Sequence, residues 1–174
     1  STLFSNYGPV AGRRWRLDYN YAPDLDDGGT LSQSLDLDVR QYIPITRRSQ
    51  LAIRAFGALS EGNVANPTYF GGLDTVRGYD FRSFVGDRGF FANVELRFPL
   101  IDVLATPLLG FQGIRGVLFV DVGGAWYDDF EDFDVWDSDE SRLGDAQAAY
   151  GYGITVRFGF LDFNWDFAKR TDFK

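Results

Sequence analysis

Apolar and polar residues alternate one by one along most of this chain. In 14–21 (RWRLDYNY), Trp15, Leu17, Tyr19 and Tyr21 share one face, opposite Arg14, Arg16, Asp18 and Asn20. In 31–43, Leu31, Leu35, Leu37, Val39 and Ile43 stand opposite Ser32, Ser34, Asp36, Asp38 and Arg40. The same alternation sets Leu51, Ile53, Ala55 and Leu59 against Gln50, Arg54 and Phe56 in 50–59. In 90–98 it sets Phe90, Ala92, Val94, Leu96 and Phe98 against Asn93, Glu95 and Arg97. It returns in 115–126, where Leu118, Val120, Val122 and Trp126 oppose Asp121. In 149–158 Tyr150, Tyr152, Ile154, Val156 and Phe158 oppose Thr155 and Arg157. In 161–168 Leu161, Phe163, Trp165 and Phe167 oppose Asp162, Asn164 and Asp166. Successive side chains of a strand point to opposite faces, so this two-residue period predicts an all-β chain with seven clear strands.

The apolar face is large, aromatic and almost free of charge, while the polar face mixes both signs. That arrangement fits an antiparallel up-and-down transmembrane β-barrel with lipid outside and an ion-paired interior. Trp15, Tyr21, Phe90, Phe98, Trp126, Tyr150 and Phe158 tend toward strand ends, where interfacial girdles form. The connections alternate too. Residues 22–29, 60–88 and 127–147 are long, whereas 44–49 and Gly159–Phe160 are short. The apolar connection 99–113 (LIDVLATPLLGFQGI) is the exception, and a short interfacial helix is expected there. Single-chain barrels of bacteria close with an even number of strands, so about eight are expected. Either residues 1–8 add a short strand, or a closing strand is missing and the exposed edge pairs elsewhere, for instance by self-association. A soluble lipocalin-like cup is the alternative architecture.

Charges on the inward face must pair, because an isolated buried ion is very costly. Arg16, Arg40, Arg54, Glu95, Arg97, Arg157, Asp162 and Asp166 are therefore expected to form a lumenal charge network. A conducting lumen needs a bore that eight strands do not supply.

Composition narrows the chemistry. The 174 residues contain no Cys, His or Met, so neither serine–histidine nor cysteine–histidine catalysis nor a thiolate metal site can be built. No catalytic residue, cofactor or metal is expected, and the chain does not read as an enzyme. Net charge is −8, with eight acids and no base in 128–140. Such a block reads as a solvated loop, and an acidic chain without a basic stripe excludes a nucleic-acid partner. DSDE within it lacks the spacing of a calcium loop. The beginning at Ser1 reads as a processed or excised fragment, and residues 1–174 as one barrel domain forming the C-terminal part of a longer protein.

The stretch 69–86 (YFGGLDTVRGYDFRSFVG) is the least strand-like. On composition alone it reads as a glycine-rich surface hairpin. Together with ANVELRFPL, GIRGVLFVDVGGAW and YGYGITVRFGFLDFNWDFAKRTDF, however, it resembles the barrel of the outer-membrane assembly and translocation superfamily. This is the BamA/TamA-like, or bacterial surface antigen, group. The likeness covers roughly residues 65–170. It implies that Val76-Arg77-Gly78-Tyr79 folds back into the barrel and that Arg77 meets Asp121 of Phe119-Val120-Asp121 on the inner wall. Gly71, Gly72 and Gly78 would let the backbone turn where a β-carbon would clash.

The chain departs from the family pattern in three ways. It has about half the usual sixteen strands, no periplasmic repeats precede them, and no closing strand with a terminal aromatic follows. A reduced barrel of the bacterial outer membrane is implied, contacting lipid and unfolded outer-membrane or secreted polypeptides. Its implied role is non-enzymatic insertion or translocation, or alternatively anchoring of an upstream periplasmic domain.

Overall fold

The computed structural model describes the chain except residues 1, 6–7, 26–27, 102–103, 106–109, 129–132, 139–141, 159–160 and 174. At 2–5, 8–10, 104–105, 110–112 and 157–158 it describes the backbone alone. The elements are β1 (Thr2–Ser5), β2 (Gly8–Pro23), β3 (Thr30–Pro44), β4 (Gln50–Glu61), β5 (Thr68–Phe70), β6 (Phe84–Gly86), β7 (Arg88–Ile101), β8 (Leu104–Ala105), β9 (Gly110–Trp126), β10 (Trp136–Asp137), β11 (Arg142–Leu143), β12 (Gln147–Phe158) and β13 (Leu161–Thr171).

One antiparallel sheet runs in the order β1-β2-β3-β4-β7-β9-β12-β13, with β8 added beside β9. Its seven long strands contain the seven alternating segments, each extended by a few residues. The short connection 44–49 closes tightly because the amides of Ile45 and Thr46 both donate to the Ser49 carbonyl, at 2.9 and 3.1 Å. The Thr46 hydroxyl oxygen accepts from the amides of Arg48 and Ser49.

Residues 2–5 do form a short strand, β1, which pairs with the start of β2, Thr2 opposite Gly12, and among the described residues the sheet still does not close. The helix expected in 99–113 does not form among the described residues. Instead β7 continues to Ile101, and Leu104–Ala105 pairs with Phe111 and Gly110. Apolar residues on both faces near a barrel rim resemble a helical run in sequence, but ladder pairing keeps 99–101 and 104–105 extended. The Gly159–Phe160 turn lies outside the described residues.

The faces are inverted relative to a soluble protein. Trp15 is 70% and Trp165 51% exposed, as are Leu37, Val39, Leu118, Val120, Tyr152 and Phe163 to lesser or similar degrees. Asp121 is fully buried on the opposite face. A lipocalin-like cup would bury the apolar set and expose the charges, so that alternative is set aside. Among the described residues β13 pairs with β12 alone, and 13–23 of β2 with β3 alone, which leaves two free edges.

The inner face is covered by the 60–88 connection, whose small hairpin β5–β6 carries an aromatic cluster. Phe70, Val76, Phe84 and Phe91 are buried together, with Phe56, Tyr79 and Ala125 against them. Phe56 stacks on Phe91 at 5.0 Å and Phe70 on Phe84 at 5.2 Å. A second cluster lies on the outer face at the long-loop end. There Phe133, Leu143 and Ala146 of the acidic connection cover Phe90, Val122 and Ala148, and Phe133 stacks on Trp126 at 4.2 Å.

Leu118 stands mid-strand on the outer face of β9. Leu118→Arg is expected to lower the unfolding free energy in lipid vesicles by about 2–4 kcal/mol, the cost of a cation at the midplane of a barrel's lipid face. Urea titration followed by tryptophan fluorescence measures it, and an unchanged midpoint would reverse the assignment of faces.

Candidate functional site: a loop clamped inside the sheet

The chain leaves β5 at Gly71, whose φ of +119° a side chain rarely adopts. A Cβ there would stand 2.6 Å from the Asp80 carbonyl oxygen. The Gly71 amide donates to the Thr75 hydroxyl oxygen at 2.8 Å, and the Gly72 amide to the Val76 carbonyl at 3.2 Å. This tight turn drops Val76 into the aromatic cluster and aims the next residue, Arg77, at the wall.

Arg77 is 5% exposed. Its Nε donates to Asp121 Oδ2 at 2.7 Å and its Nη2 to Oδ1 at 2.8 Å, while its backbone amide reaches Oδ2 at 3.1 Å. Asn93 of β7 gives Asp121 Oδ1 a fourth donor at 2.8 Å and also donates to the Thr75 carbonyl. The carboxylate is thus satisfied on both oxygens, as a buried charge requires.

The guanidinium is surrounded as completely. Nη2 lies 2.8 Å from Glu95 Oε1, Nη1 lies 3.8 Å from Asp166 Oδ2, and the Phe119 ring centroid is 3.6 Å from Cζ. Burial works against its charge, but the bond to Asp121 and the fields of Glu95, Asp121 and Asp166 outweigh it, and its pKa is raised. Burial pushes the Tyr79 phenol up, against Arg170 and a hydrogen bond to Ala148.

The expected lumenal network divides into parts. Glu95 joins the Arg77 cluster and is also held by Arg97 at 2.6 Å. Arg40 and Arg54 form a separate cluster in which both forks grip Asp38, at 2.7 and 2.9 Å. Arg54 then links back to the loop by donating to the Asp74 carbonyl at 2.9 Å. Arg16 stands apart near the β2 edge, exposed and paired with Asp18 at 2.5 Å. The Arg157 backbone pairs with Asp162, but its side chain lies outside the described residues. Asp162 and Asp166 line a cavity of about 390 Å³ with Arg97, Arg115 and Thr155. A second cavity of about 410 Å³ opens beneath the loop between Arg40, Arg54 and Arg97.

Sequence reasoning did not assign Asn93, Thr75 or Arg170 to the site, whereas it places Asp38 among the inward-facing charges. Asn93 shares its face with Glu95 and Arg97, so the alternation placed it inside, but only the register with Asp121 makes it a ligand of that carboxylate.

Removing one member of a buried ion pair strands the other. Arg77→Ala is therefore expected to cost roughly 3–5 kcal/mol of stability, and Arg77→Ala with Asp121→Ala less than the sum of the single changes, with a coupling of about 0.5–3 kcal/mol. Denaturant titration of the four-membered cycle measures this. Additive losses would show that the pair does not act as a unit.

A family model described as the Omp85 superfamily domain matches residues 4–174. Among solved structures the chain is similar to BamA from Haemophilus ducreyi lacking POTRA domains 1–3, with a TM-score of 0.74 at 17% identity over 99% of this chain. It spans 37% of the length of that protein chain. No curated protein matches.

Proposed function

We propose, for a chain that belongs to the Omp85 superfamily and so to the bacterial outer membrane, that the domain promotes insertion of other polypeptides at a free edge of its sheet. Transport through the interior is the less favoured half of the family's activity here. The observation that carries this reading is the contrast between an inner face covered by the loop and sheet edges that have no partner strand among the described residues. The loop and the two arginine clusters occupy the inner face and leave cavities of only about 410 and 390 Å³. The edges of β2 and β13 carry rows of backbone donors and acceptors. Such groups cost several kcal/mol each when left unsatisfied in hydrocarbon. An extended segment can satisfy them by adding as a strand.

Strand polarity specifies the partner further. With seven long strands in up-and-down order, β2 and β13 run the same way, from the short-turn rim to the long-loop rim. Antiparallel pairing at either edge needs a strand running the other way, which an unfolded client can supply. A second copy inserted in the same orientation presents edges of the same polarity. Self-association would then be a parallel junction, slightly weaker per residue, except over the four residues of β1.

Reconstitution into phospholipid vesicles tests the reading. Folding of a separate eight-stranded barrel, followed by its heat-modifiable gel mobility, is expected to accelerate over empty vesicles. Blocking β13 with Phe163→Pro and Trp165→Pro should abolish the gain. No acceleration by the unsubstituted domain would overturn the proposal in favour of a membrane anchor for an upstream periplasmic domain.

A further inference from the structure

The folded-in loop is fastened to the sheet in two places, and the Arg77–Asp121 pair is only one of them. The second lies on β13. Arg170 Nε donates to the Gly78 carbonyl at 2.7 Å, and the Arg170 guanidinium sits 4.4 Å from the centroid of the Tyr79 ring. The Tyr79 hydroxyl in turn lies within hydrogen-bond reach of two acceptors on β12, Gln147 Oε1 at 3.1 Å and the Ala148 carbonyl at 3.2 Å, to either of which it can donate. Between them Gly78, with φ +84°, lies close against the wall. A Cβ there would be 3.1 Å from the Ala168 Cβ and 3.5 Å from the Ala149 Cβ. Ala149 stands opposite Arg170 in the ladder, and so small a side chain leaves space above it for the loop.

Three consecutive loop residues therefore touch three consecutive strands: Arg77 on β9, Tyr79 on β12, and Gly78 with Tyr79 on β13. The ladder alone holds β13 on one side, and nothing among the described residues pairs with its other side. A strand attached by one ladder is free to twist and splay about its neighbour. A cross-tie through the loop removes that freedom.

We infer that Arg170 is a positioning residue that pins β13 to the folded-in loop, and through Arg77 to β9, so that β13 is held at a fixed angle to the rest of the sheet. The consequence for an incoming strand rests on the reading above. The pin itself does not, and it is tested without any client.

Because the sequence has no cysteine, spin labels can be placed at Leu37→Cys on β3 and Trp165→Cys on β13, both on the outer face. Pulsed electron resonance on the vesicle-inserted protein then reads the position of β13 against the far side of the sheet. The otherwise unsubstituted protein is expected to give a narrow distance distribution. Arg170→Ala should broaden and shift it while heat-modifiable mobility is retained, since Arg170 is exposed and its loss buries no charge. Tyr79→Leu should broaden it as well. Arg170→Lys should restore most of the narrow distribution, because an ammonium can donate to the same carbonyl and face the same ring. An alanine variant that superimposes on the unsubstituted protein, or a lysine variant no narrower than the alanine, overturns the inference.

Discussion

A guanidinium and a carboxylate withdrawn together from solvent govern the rest of this structure. Taking either charge out of water alone would cost several kcal/mol, so Arg77 can occupy the inner wall only if Asp121 waits there, and the converse holds equally. The pair then makes demands on its surroundings. Asn93 must complete the Asp121 oxygens, Phe119 must supply a face for the guanidinium, and Glu95 must accept from the second hydrogen of Nη2, whose first goes to Asp121. The loop must turn sharply at Gly71 to deliver Arg77, and Val76 must be swallowed by the phenylalanine cluster for the turn to be worth its conformational entropy. Charge burial, aromatic packing and backbone geometry are thus one arrangement, because none of them is favourable without the others.

A second constraint is parity. The seven long strands of the described sheet alternate in direction, so β2 and β13 run the same way. On the inner face the ions around Arg77 and Asp38 are paired and the aromatics stacked. The loop that fills the interior also reaches the margin at β13, so the two regions are mechanically continuous.

Much of this was legible in the sequence because strand alternation is a local signal. Trp15 to Tyr21, or Leu161 to Phe167, announce a face regardless of what packs beside them. The Arg77–Asp121 pair was different. Forty-four residues separate the partners, and only the likeness of VRGY and FVD to a known pattern suggested that they meet. Asn93 and Asp38 were placed on the right face, yet their partners depend on register, which alternation does not encode. Arg170 lay inside the stretch FLDFNWDFAKRTDF and was given no role. Its contact with Gly78 spans ninety-two residues and leaves no mark on local composition. The apolar run 99–113 misled for the opposite reason: it carries hydrophobic residues on both faces, and the ladder to β9 decides its conformation.

The packing of the acidic connection against the outer face alters the shape of the lipid-facing belt. Phe133, Leu143 and Ala146 cover Phe90, Val122 and Ala148, so the upper part of β7, β9 and β12 is clothed by protein. On β2 and β3 the apolar residues stay bare up to Tyr21 and Leu31, close to the long-loop rim. The hydrophobic height is therefore lower on one flank than on the other. A bilayer meeting such a wall must thin along the low flank or let the domain lean, and the low flank adjoins the strand that ends the sheet. The acidic connection thereby shapes the outer wall of the sheet as well as its rim.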